Sequence, residues 1–88
     1  MNMKRTSICI EVNTDAVRKS IRSDGPVEPV AHLAHAICKA VRNVTLVAAN
    51  KETRMLELAG PVLQVIEIQR WIIACQFGAI IAQKDWEE

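Results

Sequence analysis

Apolar residues recur at two different periods along this chain, and the change of period divides it into elements. At residues 6–12 apolar and polar positions alternate, which is the pattern of a β-strand with one buried face. From residue 29 onwards the apolar positions follow helical spacing instead, with polar side chains on the opposite side. The sequence therefore predicts an N-terminal strand and an amphipathic helix over 29–49.

The longest apolar run of the chain extends over 61–83, and no other segment could cover it fully. Its apolar residues lie on nearly all sides of a helix, which is typical of a helix buried in the centre of a protein. Glu67 and Arg70 lie inside the run, and charged residues at such positions oppose insertion into a bilayer. The pattern predicts a second long helix over 61–84 and no membrane span.

Shorter segments complete the predicted fold. Residues 16–22 suit a short helix, and residues 51–59 are rich in strong helix formers. A chain of 88 residues makes a single domain, 1–88. The predicted fold class is therefore mainly α, with two long helices, shorter helices, and an N-terminal strand or extended arm.

An α+β fold is the alternative. Residues 44–49 are rich in β-branched side chains, and residues 50–53 could form the loop of a hairpin that returns along 54–58. Segments 6–12, 44–49 and 54–58 would then build a small antiparallel sheet. If the segment is helical instead, the strand at 6–12 must pair with another chain or lie as an extended arm, because a lone strand leaves its backbone groups unpaired.

Composition favours association. Half of the residues are apolar and only three are aromatic, so the core must be aliphatic and the apolar fraction is high for a small monomer. We therefore predict a homodimer through the 61–83 helix. Gln69, Gln76 and Gln83 recur every seven residues and are either half-exposed at the edge of the core or part of a dimer seam.

The sequence contains no pattern that would support catalysis or cofactor binding. His32, His35 and Cys38 stand three residues apart and Glu28 lies nearby, but these positions do not match known zinc-site spacings. The three cysteines form no CxxC pair, which favours reduced thiols in a cytoplasmic protein. We therefore predict a protein that is not an enzyme and that has no metal or cofactor.

Another protein is the predicted partner, because small size, an aliphatic composition and the lack of catalytic motifs are typical of small bacterial or phage adaptors, regulators and inhibitors. That class includes phage proteins that block host defence. Two surfaces are the candidates, the basic face of the predicted second helix and the edge around Trp71 and Trp86, because interfaces favour Trp and Arg near their centres. The candidate protein-binding residues are His32, His35, Lys39, Arg42, Glu67, Arg70, Trp71 and Trp86.

Nucleic acid is the less favoured partner. The net charge is only +1, although residues 1–42 carry an excess of three positive charges. A short strand followed by two helices at 4–44 resembles the ribbon–helix–helix DNA-binding dimers, in which two chains pair their strands and insert them into the major groove. The resemblance implies a dimeric DNA-binding regulator, but the first helix is too short and the C-terminal apolar run has no counterpart. The residues that would contact nucleic acid are Arg5, Arg18, Lys19 and Arg22.

Overall fold

A computed structural model of the protein describes residues 4–21 and 27–87, which form four strands and three helices. The mainly α prediction is wrong, because strands occupy much of the chain that was expected to be helical. The elements in chain order are β1 (Lys4–Val12), α1 (Thr14–Ser20), α2 (Pro29–Ala40), β2 (Thr45–Asn50), β3 (Met55–Pro61), α3 (Val62–Cys75) and β4 (Gly78–Glu87).

The four strands form one antiparallel sheet in the order β2-β3-β1-β4. Helices connect β1 to β2 and β3 to β4, so the chain follows the split β-α-β arrangement of ferredoxin-like folds, with α1 added before α2. Strand β1 lies inside the sheet, between β3 and β4. The expectation that it pairs with another chain or lies as an arm is therefore wrong.

All three helices contribute to a single core on one face of the sheet. Ile8 and Ile10 of β1 lie opposite Leu58 and Leu56 of β3, and all four are fully buried. Buried residues of α2 and α3 cover them, and each large aliphatic side chain contributes about 1.5–3 kcal/mol by leaving water. The helix residues in this core are Val17, Val30, Leu33, Ala34, Ile37, Val65, Ile68 and Ile72.

The opposite face of the sheet carries no helix among the described residues, and we call it the uncovered face. Because side chains alternate along a strand, the residues between the buried positions of β1 point towards it. The strand register extends this set to the neighbouring strands. Its members are Arg5, Ser7, Cys9, Glu11, Thr45, Ala48, Asn50, Met55, Glu57, Ala59, Pro61, Ala79, Ala82, Lys84 and Trp86.

The predicted helix over 61–84 is interrupted at Gln76. Helix α3 ends at Cys75, because the next residue, Gln76, has a left-handed backbone conformation with φ 59°. The next residue, Phe77, donates its backbone N–H to the Ile72 carbonyl at 3.0 Å, and its carbonyl accepts the N–H of Asn13. Apolar periodicity did not mark this boundary, because both α3 and β4 are rich in apolar residues.

The predicted helix over 29–49 begins where expected and ends early. Glu28 caps α2, accepting the backbone N–H groups of Val30 and Ala31, but the helix stops at Ala40. The segments predicted as helix at 41–49 and 51–59 contain a turn and the β2–β3 hairpin, so the α+β alternative named three of the four strands. The side-chain oxygen of Asn50 accepts two N–H groups in the hairpin loop and fixes the turn.

We expect Gly78→Ala to destabilise the fold by about 1–3 kcal/mol, because a side chain there would be overpacked. A Cβ atom at this position would lie 2.6 Å from the backbone oxygen of Glu11 and 2.8 Å from Cγ2 of Ile10. Urea unfolding measures the change, with Ala79→Ser at the neighbouring exposed position as control. An unchanged midpoint for Gly78→Ala would show that β4 does not approach β1 this closely.

Candidate protein-binding surfaces

An apolar groove lies between α2 and α3, with Trp71 on one side. Ile37 and Ile68 form part of its lining, and they also belong to the core. The groove has a volume of about 390 Å³. Trp71 is 42% exposed, and its ring meets that of Phe77 edge-on with centroids 5.1 Å apart. One part of the indole therefore packs against Phe77, and the rest is accessible to solvent. The remaining lining residues are Ala36, Ala40, Val41 and Glu67.

The predicted basic residues of α2 lie beside this groove rather than in it. His32, His35 and Lys39 are exposed and follow the helix at spacings of three and four, so they share one side. Arg42 is also exposed, but it lies beyond the end of α2, in the turn before β2. The structure therefore groups three of these four residues on one helix and places the fourth on the loop that follows.

The predicted surface around the two tryptophans is divided between two sides of the protein. Glu67 and Arg70 are exposed on α3, as is Trp71. Trp86 lies opposite Arg5 on the uncovered face, which is the side of the sheet away from the helices. The expectation that Trp86 belongs to the same surface as Trp71 is wrong, because residue 86 is in a strand and not in a continuation of α3.

The residues predicted to contact nucleic acid do not form the arrangement that the ribbon–helix–helix resemblance implies. Strand β1 has both edges paired within its own chain, so it cannot pair with β1 of another chain. Arg5 lies on β1, whereas Arg18 and Lys19 are exposed on α1, where Arg18 lies 3.9 Å from Asp15. Arg22 lies outside the described residues.

A larger depression of about 760 Å³ lies at the end of the sheet near α1. Charged and polar side chains, among them Glu11, Asp15 and Arg54, surround it, and it opens broadly to solvent. Ligand sites usually enclose most of their ligand in an apolar cleft. We therefore regard the smaller groove beside Trp71 as the better candidate site.

His32, His35 and Cys38 do not converge on one point. Both histidines are exposed, whereas Cys38 is half-buried and packs against the core. The Glu28 carboxylate is engaged by the N-terminus of α2. Within 4–21 and 27–87, no three His, Cys, Asp or Glu side chains are grouped as metal ligands would be. No helix in these ranges is long and apolar enough to cross a membrane.

A chain of hydrogen bonds joins α3 to the two neighbouring strands. The side-chain amide of Gln69 donates to Oε1 of Gln83 at 3.0 Å, and the side-chain amide of Gln83 donates to the Asp85 carboxylate at 3.2 Å. The hydroxyl of Thr6, a fully buried residue, donates to the same carboxylate oxygen. Two of the three glutamines in the predicted row therefore bind each other within the chain. Gln76, the third, forms the end of α3.

Hydrogen bonds to the Asp85 carboxylate lower its pKa below the ordinary value. The Thr6 hydroxyl is the largest cause, followed by Gln83, and the positive charge of Lys4 adds to the effect. The pKa of Cys9, on the uncovered face, is shifted in the opposite direction. Partial burial raises the pKa of its thiol, and the nearby negative charge of Glu57 raises it further. The Cys9 thiol is therefore a weaker nucleophile near neutral pH than an ordinary cysteine.

Sequence reasoning missed the groove floor and the uncovered face. The alanines at 36 and 40 carry no chemical signal of their own, and only the position of α3 makes them line a groove. The uncovered face had a signal in the alternation of residues 6–12, whose second face was polar or small. The alternation did not show that neighbouring strands extend this face on both sides of β1.

We expect Thr6→Val to raise the pKa of Asp85 towards its ordinary value, because the substitution removes the main hydrogen-bond donor to the carboxylate. An NMR titration of the Asp85 side-chain carbon measures this shift. Thr6→Ser keeps a hydroxyl at the same place and should keep the pKa low. Equal pKa values in the valine and serine variants would contradict the assigned cause.

The contribution of Asp85 to the stability of the fold should depend on pH. The folded-state pKa of Asp85 lies below its unfolded-state value, so the carboxylate stabilises the fold above the unfolded-state pKa. That contribution is lost as the pH falls through the folded-state pKa. We expect Asp85→Asn to lower the urea midpoint at pH 7 and to have little effect at about pH 2. A loss of stability that is the same at both pH values would indicate a cause other than ionisation.

Comparison with known proteins does not extend these observations. The ferredoxin-like arrangement hosts many unrelated functions, so the fold alone does not select one. The chain matches no protein-family model and no curated protein.

Proposed function

We propose that this protein is a non-enzymatic binding protein whose groove between α2 and α3 takes an apolar side chain of another protein. The observation that supports it is the position of Trp71 beside an apolar groove of about 390 Å³, with the indole 42% exposed. Tryptophan near the centre of a desolvated pocket is a frequent source of binding energy. The groove is lined by about one turn of each helix, which suits a single apolar side chain presented by an amphipathic helix of the partner.

The exposed part of Trp71 is large enough to matter for affinity. A tryptophan side chain presents roughly 250 Å² to solvent, so the exposed fraction leaves about 100 Å² to be covered. At about 25 cal/mol per Å², covering it contributes about 2.5 kcal/mol. This is the size of a single dominant contact in a protein interface.

Charged residues beside the groove restrict which partner segments fit it. Lys39 lies on the exposed side of α2 with His32 and His35, directly before the groove residue Ala40. A partner segment with acidic residues next to its apolar anchor would complement this side electrostatically. Glu67 lines the groove from α3 and favours a basic group at that side of the segment.

The same proposal includes the cellular role. In this proposal the protein acts as a regulator or an inhibitor by occupying its partner. The three cysteines are free thiols, which suits a reducing compartment such as the cytoplasm.

Ala40→Arg is the sharpest test, because it adds a long charged side chain to the groove without removing any core residue. Its matched control is Ala31→Arg, an exposed position on the same helix outside this groove. Both variants should show the circular dichroism and thermal midpoint of the parent chain. The three forms then serve as baits in a nuclease-treated bacterial lysate, and captured proteins are identified by mass spectrometry.

We expect one protein to be retained by the parent chain and by Ala31→Arg but not by Ala40→Arg. With that partner purified, Ala40→Arg should weaken binding by about 30-fold or more, as the loss of a dominant contact does. Equal binding by the two arginine variants would exclude the groove. Capture from an untreated lysate that is absent from the nuclease-treated one would shift the assignment to nucleic acid and to the basic residues of β1 and α1.

A further inference from the structure

The uncovered face is a second surface, on the side of the sheet opposite the groove. Along β1 the middle positions of this face are the small residues Ser7 and Cys9, which lie opposite Ala59 and Glu57 of β3. On the other side of β1, Ser7 lies opposite Lys84 and Cys9 lies opposite Ala82 of β4. The small residues of these central rows leave room for another flat surface between the long side chains of Glu57 and Lys84, as in packed pairs of sheets.

Charges on this face are separated along the strand direction. Arg5 and Lys84 lie towards the end where β1 begins, on neighbouring strands. Glu11 lies at the other end of β1, and Glu57 lies nearer the middle on β3. One end of the face is therefore positive and the remainder is negative.

We infer that the uncovered face is a homodimer interface, in which two copies stack their sheets with the strands running in opposite directions. A two-fold axis in the plane of the interface, perpendicular to the strands, places the positive end of each copy over the negative end of the other. In this arrangement Arg5 of each copy stands over Glu11 of the other, so the charges attract at both ends.

Side-chain size is complementary in the same arrangement. The two-fold axis that exchanges the ends of β1 also exchanges the ends of β4, so the large Trp86 of one copy lies over the small Ala79 of the other. In the middle, Ser7 lies over Cys9 of the other copy. A two-fold axis along β1 would instead leave the strands of the two copies parallel. It would bring Arg5 over Arg5 and Glu11 over Glu11, and the repulsion between like charges opposes this arrangement.

The size of the face predicts a weak dimer. Four strands about 4.8 Å apart and seven residues of about 3.3 Å each give a face of roughly 19 by 23 Å. The two copies would cover about 900 Å² of flat area, and more once side-chain relief is included. This flat area lies below the range of about 1,200–2,000 Å² that is typical of stable interfaces, so we expect a weak dimer that dissociates in the micromolar range or above it.

The interface differs from the one predicted from sequence. The helix over 61–83, which was expected to mediate dimerisation, ends at Cys75, and its Gln69 is bonded to Gln83 of the same chain. Stacking through the uncovered face leaves α2 and α3 on the outside of the dimer. The inference is therefore independent of the groove, and either can fail without the other.

Sedimentation velocity of the full chain between about 1 and 300 µM is the test. We expect the mass to rise from 9.8 kDa towards twice that value over this range. Higher salt should shift the equilibrium towards the monomer, because screening weakens the attraction between exposed charges. A monomer at every concentration would overturn the inference.

Variants locate the interface. Ala82→Arg adds a long side chain to the middle of the uncovered face and should leave a monomer, whereas Ala40→Arg on the helix side should dimerise as the parent does. Glu11→Arg alone should weaken the dimer at least tenfold, and adding Arg5→Glu in the same chain should restore most of the affinity. A dimer that survives Ala82→Arg, or is lost with Ala40→Arg, would place the interface elsewhere.

Cysteine alkylation tests the same surface without any substitution. Cys9 belongs to the uncovered face, whereas Cys75 is exposed at the end of α3. We expect the maleimide reaction of Cys9 to slow as the protein concentration rises while that of Cys75 stays constant. A Cys9 rate that does not depend on concentration over the range in which the mass doubles would contradict the assignment.

Discussion

The pairing of β1 on both of its edges is the constraint on which the rest of the structure depends. Ile8 and Ile10 are fully buried only because β3 and β4 lie on either side and the helices lie above. This position also explains why a segment as hydrophobic as α3 packs in an 88-residue chain, since the sheet offers it a continuous apolar surface. Removing β4 from β1 would expose the core at the edge where α3 packs.

Local signals in the sequence identified individual segments better than they identified the fold. The alternation at 6–12 and the start of α2 were readable, and so was a short helix at 16–22, which the structure places at Thr14–Ser20, because each depends on neighbouring residues. The end of α3 and the whole of β4 were not, because Ile80 and Ile81 continue an apolar run that suits either structure. The backbone turn at Gln76 depends on contacts of residues 76 and 77 with Asn13, which are far away in sequence. Tertiary contacts of this kind override local propensity.

For the candidate sites too, the sequence identified individual residues but not their arrangement. Trp71 could be selected from the sequence because Trp is common in interfaces, and the basic residues of α2 could be selected because they share one face of the predicted helix. Their arrangement could not, since it depends on how α2 and α3 lie on the sheet. Trp86 was grouped with the wrong surface for one reason, the assignment of helix where the chain forms a strand. Because this segment was given the period of a helix instead of that of a strand, Trp86 was predicted on the wrong side of the protein.

The sheet order also determines how this chain acquires its structure. The register that joins β1 to β4 pairs Lys4 with Glu87, so the first and last described residues lie side by side. Such pairings close a loop of nearly the whole chain, and folds rich in distant contacts form slowly. While a ribosome is making the protein, β1 has neither neighbour until β3 emerges, and its second edge stays open until residue 87 is synthesised. The nascent chain thus exposes an unpaired strand of high β-propensity from the emergence of β1 until β3 and β4 have been made, and association with other chains or with chaperones competes with folding during this period.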